Sequence, residues 1–559
     1  MKPRNGPMGR FDLGSFEPAV EARLQQWQDG RLGERVWDHD VNVWGSPTTP
    51  EIADRLGWLS LPTAMRAAAE DYMRLGEEIR DEGTRHVVLI GMGGSSLAPE
   101  VFARTFGPSP DFPELLVLDS THPMAVLGVR KQIDPRTTVF VVSSKSGTTL
   151  ESLSLFRYFW GEVGKDPARG ARFLAITDPG TPLEALGRER GFRRIVQATP
   201  DVGGRYSALT AFGLVPAGLL GIDLRELLRR AERMAGLCGP RIPATENPGL
   251  RLGATFGELG TQGVDKVTLV ASPSLSSYPI WAEQLIAEST GKEGRGLIPV
   301  AGEPLRDPSF YAKDRLFVGL HAVGDAPLPS TFGTLMSAGH PSVQLNLTDR
   351  YDIAAEFFRW EFAVAVAGPL LGIHPFNQPD VEFAKELARE VMTGHAPATS
   401  VVPEPVEPIA RHPFLEWSQG AASPMYVAVQ AYLAPGPKAD EALGDLREAL
   451  RATLKLPVTV GYGPRFLHST GQLQKGGPPT DLCLQLLDTG TNDIPVPETS
   501  YTFGQIIRAE AQGDAQALTQ RRRRVLRIQL GPDPLRGLAQ LVSTTVSGPG
   551  SADASKSTA

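Results

Sequence analysis

Short apolar runs set the rhythm of the chain. HVVLIG (86–91), LLVLD (115–119), TTVFVVSS (137–144), RFLAIT (172–177) and RRIVQA (193–198) are rich in Val, Ile and Leu, and stretches of helical period separate them. Apolar runs without alternation belong to strands covered on both faces. Strands that alternate with helices form parallel βαβ units. A second series follows: KVTLVAS (266–272), LIPVAG (297–302), RLFVGL (315–320) and SVQLNL (342–347). The long segment 352–373, DIAAEFFRWEFAVAVAGPLLGI, is apolar on nearly every face and reads as a buried helix. The pattern predicts two α/β layers with no strict sequence repeat between them.

The flanks differ. Residues 1–55 carry Trp27, Trp37 and Trp44 in a mixed context, and are expected to form a helix and an irregular arm on the main body. The two α/β domains are placed at 56–235 and 236–394, followed by a Pro-rich stretch without periodicity (395–414) that reads as a linker. Runs at 425–433, 456–463, 482–487 and 525–531, with helices near 439–455 and 503–520, predict a small C-terminal α+β domain over 415–535. Residues 536–559 end in TVSGPGSADASKSTA, which has little to anchor it, and are expected to be a disordered tail.

Composition narrows the function classes. The chain has 559 residues, 41% of them apolar, and a formal charge of -7. That charge argues against nucleic acid as a partner. The run Arg521–Arg524 has no interleaved aromatics and reads as a solvated helix end. Only Cys238 and Cys483 are present, so neither a disulfide framework nor a zinc spacing can be built. A reducing, cytoplasmic setting is expected. The first residues contain no apolar h-region, and the apolar stretch from Ala363 is too short to span a bilayer, so neither secretion nor a membrane is expected.

Two strand-to-helix turns carry the strongest chemical signal. IGMGGSSLAPEVF starts at Ile90 with Gly91, Gly93 and Gly94, then Ser95 and Ser96 where a helix begins. Glycines allow close backbone approach, and free N–H groups at a helix start favour an anion. The spacing is not that of a dinucleotide loop. One βα unit later, FVVSSKSGTTLESL repeats the design with Ser144, Lys145, Ser146, Thr148 and Thr149. One or two hydroxyls would suffice to cap a helix, whereas this many beside a lysine suit phosphate oxygens. The spacing is not that of a Walker loop.

Further along, Arg205 follows Gly203 and Gly204, and a guanidinium there could hold a developing oxyanion. In YPIWAEQLIAESTGKEG, Gln284 and Glu288 are four apart and share a helical face; Glu288 could serve as a base, although taken alone a solvated helical glutamate is the commoner reading. In GIHPFNQPDVEFAKELARE, Gln378 and Lys385 are seven apart, on one face. GPRFLHSTGQLQKGG, with Arg465, His468 and Lys475, suits an anion site or an ordered loop packed on the main body about equally.

Taken together and in order, GMGGSSL, SSKSGTT, VGGRYS, EQLIAESTGK and HPFNQPDVEFAK resemble the phosphoglucose isomerase family. WLSLP near residue 58 and GPRFLHSTGQLQKGG resemble the isomerase part of bifunctional transaldolase/phosphoglucose isomerases. The short upstream segment leaves no room for a transaldolase barrel, so a stand-alone relative is expected. The resemblance implies two doubly wound sugar isomerase (SIS) domains and interconversion of glucose 6-phosphate and fructose 6-phosphate, a step of glycolysis and gluconeogenesis. It implies that Ser144, Lys145, Ser146 and Thr149 hold the phosphate, with Gly94, Ser95 and Gly204 lining the same pocket. Arg205 would stabilise an enediolate and Glu288, beside Gln284, would be the base. Lys385 and Gln378 would sit near the ring oxygen.

Enediol chemistry needs no cofactor or metal, and none is expected. The family takes a ring-opening histidine from a neighbouring subunit, which implies a homodimer. The corresponding block does not align here. His340 is chosen over His321, the other histidine between Lys292 and Ile373. Use of mannose 6-phosphate as well, a non-catalytic sugar-phosphate sensor, and the isomerase half of an aminosugar synthase are the alternatives. The joint presence of Arg205 and Glu288 favours the enzyme over the sensor, and the lack of an N-terminal cysteine argues against the synthase.

Overall fold

The computed structural model describes residues 8–381, 386, 406–490 and 492–546. Among the described residues, three five-stranded sheets carry the architecture. The first is built from β2 (His86–Gly91), β3 (Glu114–Leu118), β4 (Thr138–Ser143), β5 (Phe173–Thr177) and β6 (Arg194–Gln197), in the order β3-β2-β4-β5-β6. Every pairing in it is parallel. The second takes β7 (Lys266–Ala271), β8 (Ile298–Ala301), β9 (Arg315–Ala322) and β10 (Ser342–Leu347) in the order β10-β9-β7-β8, again parallel. These strands fall within a residue or two of the predicted runs. Doubly covered parallel strands are apolar without interruption, so their ends are marked sharply by polar residues.

The arm contributes more than packing. Its strand β1 (Arg10–Asp12) pairs antiparallel with β10 and extends the second sheet. Trp44 donates from Nε1 to the carbonyl of Ala365, on the long helix Ile353–Leu371 that forms the spine of the core. Trp58, Phe358 and Phe362 pack ring against ring where the first domain meets that helix. Burying each such side chain contributes roughly 1.5–3 kcal/mol relative to leaving it exposed.

The third unit departs from the α+β expectation. Its strands β11 (Val406–Pro408), β12 (Tyr426–Tyr432), β13 (Val458–Tyr462), β14 (Asp481–Leu487) and β15 (Arg524–Gln529) form one parallel sheet, β11-β15-β14-β12-β13. It is therefore a third α/β layer. Strand positions were legible, but the direction of pairing between short runs is not encoded locally. The unit also reaches past both expected boundaries. β11 and the helix Arg411–Trp417 lie in the stretch read as linker, and the helix Pro534–Val546 buries Leu538 and Leu541 where a tail was expected. Linker residues 395–405 and tail residues 547–559 lie outside the described residues. Arg523, read as part of a solvated run, is buried and donates to the carbonyls of Lys475 (3.1 Å) and Gly477 (2.6 Å).

The third unit is packed against both others. Ala287, Ile298 and Val300 of the second domain share an apolar cluster with Tyr426, Leu473 and Leu518. Phe503 and Ile506 join the cluster around Phe156 and Phe159 of the first. Among the described residues, no helix is long and apolar enough to cross a membrane.

Candidate active site

In the first sheet, β2 connects towards β3 on one side and β4 towards β5 on the other. The carboxyl ends of β2 and β4 therefore flank a topological switch point, where open α/β sheets form a crevice. The glycine loop after β2 and the hydroxyl loop after β4 both open there. Other segments close the crevice into a cavity of about 340 Å³, lined by Gly94, Ser95, Lys145, Ser146, Thr149, Gly204, Arg205, Gln284, Glu288, Gln378 and His468. That volume falls in the range of small-molecule sites.

The glycine loop must lie flat against the Arg205 loop. A Cβ at Gly94 would stand 2.1 Å from the carbonyl oxygen of Gly204. Gly93 has φ +54°, and a Cβ there would meet the carbonyl oxygen of His468 at 2.5 Å. Replacing Gly94 by alanine is expected to push the two loops apart. Thermal unfolding should show a loss of about 1–3 kcal/mol, typical of overpacking, with turnover falling more than the stability change explains.

The hydroxyl loop is largely organised by its own side chains. Ser144 is buried, shares a hydrogen bond with Thr149 (2.9 Å) and accepts from the Gly147 amide (3.2 Å). It shapes the loop from behind and is not among the residues that line the cavity. Ser146 is exposed and bonded to Thr148 at 3.0 Å. Lys145 reaches the cavity but pairs with Asp178 at 2.6 Å and donates to the Pro200 carbonyl at 3.0 Å. Its charge is thus already balanced by the protein. Ser143 Oγ and Gln284 Oε1 are buried at this wall without a hydrogen-bond partner among the described residues. Buried polar atoms left in that condition are suited to a ligand or to water.

Arg205 is the fixed centre of the opposite wall, with a side chain only 1% exposed. Nε donates to Ser289 Oγ (2.8 Å), Nη1 to Gln378 Oε1 (2.8 Å), and Nη2 to the carbonyls of Pro375 and Asn377. Glu288 Oε1 lies 3.7 Å from its Nη1. Glu288 and Gln284 come from the helix Tyr278–Thr290, four residues apart as the pattern required. Gln284 Nε2 donates both to Glu288 Oε2 (3.1 Å) and to the His468 carbonyl (2.7 Å). Lys292 ties down the loop that holds Arg205, donating to the His374 carbonyl and to Asn377 Oδ1. Burial drives its pKa well below that of an ordinary lysine, and the Arg205 charge adds to the effect.

One expected residue does not line this chain's cavity, and another falls outside the described residues. His340 sits beyond the second sheet, packed edge-on against Phe317 and Tyr311, with Nε2 3.3 Å from the Pro308 carbonyl, and is not among the cavity-lining residues. Its ring is held by an aromatic cluster of its own domain. Lys385 lies outside the described residues.

The imidazole in the cavity is His468, from the loop between β13 and β14. Its Nε2 is 2.6 Å from Glu151 Oε1, on the first turn of the helix after the hydroxyl loop. The sequence signal was the stretch GPRFLHSTGQLQKGG, which carries a lone histidine among glycines and polar residues. Nothing local connected it to a loop more than three hundred residues upstream. Arg465 anchors the same loop on Glu100 and Asp119 of the first domain.

The fold and the site together define a doubly wound α/β protein with a polar pocket, lined by Arg205, Glu288 and His468, at the switch point of its first sheet. Comparisons with known proteins agree. The family model described as phosphoglucose isomerase matches residues 67–293. A glucose-6-phosphate isomerase of Symbiobacterium thermophilum is 31% identical over 387 residues, covering 59% of this chain and 85% of that protein. One of Rubrobacter xylanophilus is 28% identical, covering 60% and 89%. A hypothetical protein of Thermus thermophilus superposes with a TM-score of 0.60 at 25% identity, over 69% of this chain and 100% of the other. A glucose-6-phosphate isomerase from Chlamydia trachomatis gives a TM-score of 0.55 at 20% identity, over 67% and 86%, and speaks for the fold. The chain belongs to the phosphoglucose isomerase family.

Proposed function

We propose that this protein interconverts glucose 6-phosphate and fructose 6-phosphate through a cis-enediolate. The observation that carries the reading is the pairing of Glu288 with Arg205 on one wall of a cavity whose other wall is the hydroxyl loop. Moving a proton between C2 and C1 needs one base that reaches both carbons. It also needs a fixed positive charge where the oxyanion develops, and a grip on the distal phosphate. Glu288 supplies the base and Arg205 the preorganised charge. Ser146, Thr149, Ser95 and the adjoining backbone amides receive the phosphate, with Lys145 at the rim.

The sugar enters mostly as a closed ring. Opening it breaks the C1–O5 bond, delivers a proton to O5 and removes one from the C1 hydroxyl. His468 is the imidazole placed for this exchange. Its Nε2 is held by Glu151, which leaves Nδ1 to trade a proton with the sugar.

A coupled assay of fructose 6-phosphate conversion tests the activity, and no turnover by the wild-type protein would refute it. His468→Asn is expected to slow the reaction by about 10²-fold, the low end for loss of an acid–base group. Sugar-phosphate affinity should change little.

A further inference from the structure

We infer that Glu510, on the helix Phe503–Gln520 of the third unit, is a positioning residue. It shares a proton with Glu151 and so keeps that carboxylate charged and aimed at His468. The inference rests on the proposed role of His468 in ring opening.

Three ionisable side chains stand in line from the cavity wall inward. His468 Nε2 meets Glu151 at 2.6 Å, Glu151 meets Glu510, and Glu510 Oε2 accepts from Thr121 Oγ1 at 3.1 Å. Four segments from two domains converge there. Both carboxyls are buried, Glu151 6% and Glu510 5% exposed. Two carboxylates have only acceptors, so they cannot hydrogen-bond each other unless one carries a proton. In a buried site, two like charges in contact cannot both persist.

The proton belongs on Glu510. Glu151 has an imidazole N–H to stabilise its charge, while Glu510 has one hydroxyl. Burial, with the charge of Glu151 added, pushes the Glu510 pKa well above the usual carboxylate range. The other charged groups around this helix are engaged. Asp514, one turn on, pairs with Lys475. Arg527 on β15 donates to Gln485 at 2.8 Å. Asp488 faces His122 at 2.8 Å, and Asp119 faces Arg465 at 3.0 Å. Tyr432 at the end of β12 is held neutral by burial.

The result is a chain of donors running Glu510 O–H to Glu151, with Glu151 accepting from His468 Nε2–H. That arrangement fixes the tautomer and presents Nδ1 to the sugar. The acid–base device is thus completed by the third unit of the same chain.

The test is the pH profile of kcat/KM for glucose 6-phosphate in Glu510→Gln and Glu510→Met, beside His468→Asn. The glutamine amide still donates to Glu151, so rate and profile should stay within about twofold of wild type. Methionine keeps the length but cannot donate. It should lower kcat/KM about tenfold, with KM for the sugar phosphate nearly unchanged. It should also move the acid limb upward, because a carboxylate that loses a donor holds its proton more tightly. Glu510→Ala serves the same purpose if the methionine variant does not fold. Equal behaviour of the Gln and Met variants, or a loss without a shifted limb, overturns the inference alone. Full activity in His468→Asn overturns the ring-opening reading and this inference with it. An inactive wild type overturns both.

Discussion

Glu288→Gln is expected to abolish isomerisation nearly completely, with turnover down by about 10³–10⁴-fold, the upper range for removal of a catalytic base. The substitution is close to isosteric. Glu288 is partly buried, 13% exposed, with Gln284 donating to one oxygen and Arg205 3.7 Å from the other. A glutamine can keep one of these contacts, so folding should be preserved. The amide cannot accept a proton at C2. The expected signature is therefore an unchanged melting temperature, nearly unchanged sugar-phosphate binding and a collapsed kcat. Solvent hydrogen should also cease to enter the C2 position of glucose 6-phosphate, because that exchange needs the same base. A coupled assay and proton exchange by NMR check both parts, and substantial activity in the variant would remove Glu288 from the role.

Arg205→Leu has the second largest expected effect, and here stability and activity fall together. The guanidinium satisfies Ser289, Gln378 and the carbonyls of Pro375 and Asn377, all at or near burial. Its loss orphans those acceptors and leaves Glu288 without its charge partner. Breaking one side of a buried charged network costs about 3–5 kcal/mol. Loss of a preorganised oxyanion partner lowers kcat by a further factor of about 10²–10³. Arg205→Lys separates the two effects. The ammonium retains the charge but not the planar fork, so it cannot serve Nε and both Nη contacts at once. It should recover part of the stability while kcat stays down by about tenfold or more. Denaturant unfolding and steady-state kinetics on both variants give the comparison. A lysine variant with wild-type kcat would show that charge alone is sufficient.

Legibility in the sequence tracked the range of the interaction that produced each feature. The strands of the first two sheets were readable within a residue or two because buried parallel strands are continuous apolar runs. The Gln284–Glu288 pair was readable because helical spacing is local. The hydroxyl loop stands out in the sequence as suited to an anion, but the different places of its hydroxyls do not. Ser144 and Ser146 look alike in the chain, yet one is buried behind the loop and the other exposed at its face. Nothing near Lys145 in the chain marks its partner Asp178, which lies thirty-three positions on and balances its charge.

The same distinction explains the histidine. His340 is singled out by its position between two motifs, and in its own chain it packs on Phe317 and Tyr311 away from the cavity. His468 was visible only as part of a polar, glycine-rich stretch of uncertain use. Its partner Glu151 is 317 positions upstream, and Glu510, which meets Glu151, is 42 positions downstream.

By itself, then, the sequence determined the α/β layering, the two anion-suited turns after β2 and β4, and the helical spacing that puts Gln284 and Glu288 on one face. Each of these follows from local periodicity or from residue types within one turn. Only the tertiary structure decided that the third unit is a parallel sheet, that it closes over the first domain, and that its imidazole enters the cavity. Those outcomes depend on pairing direction and on packing between surfaces hundreds of residues apart. Such packing is set by the total area and shape buried, which no local stretch of the chain records.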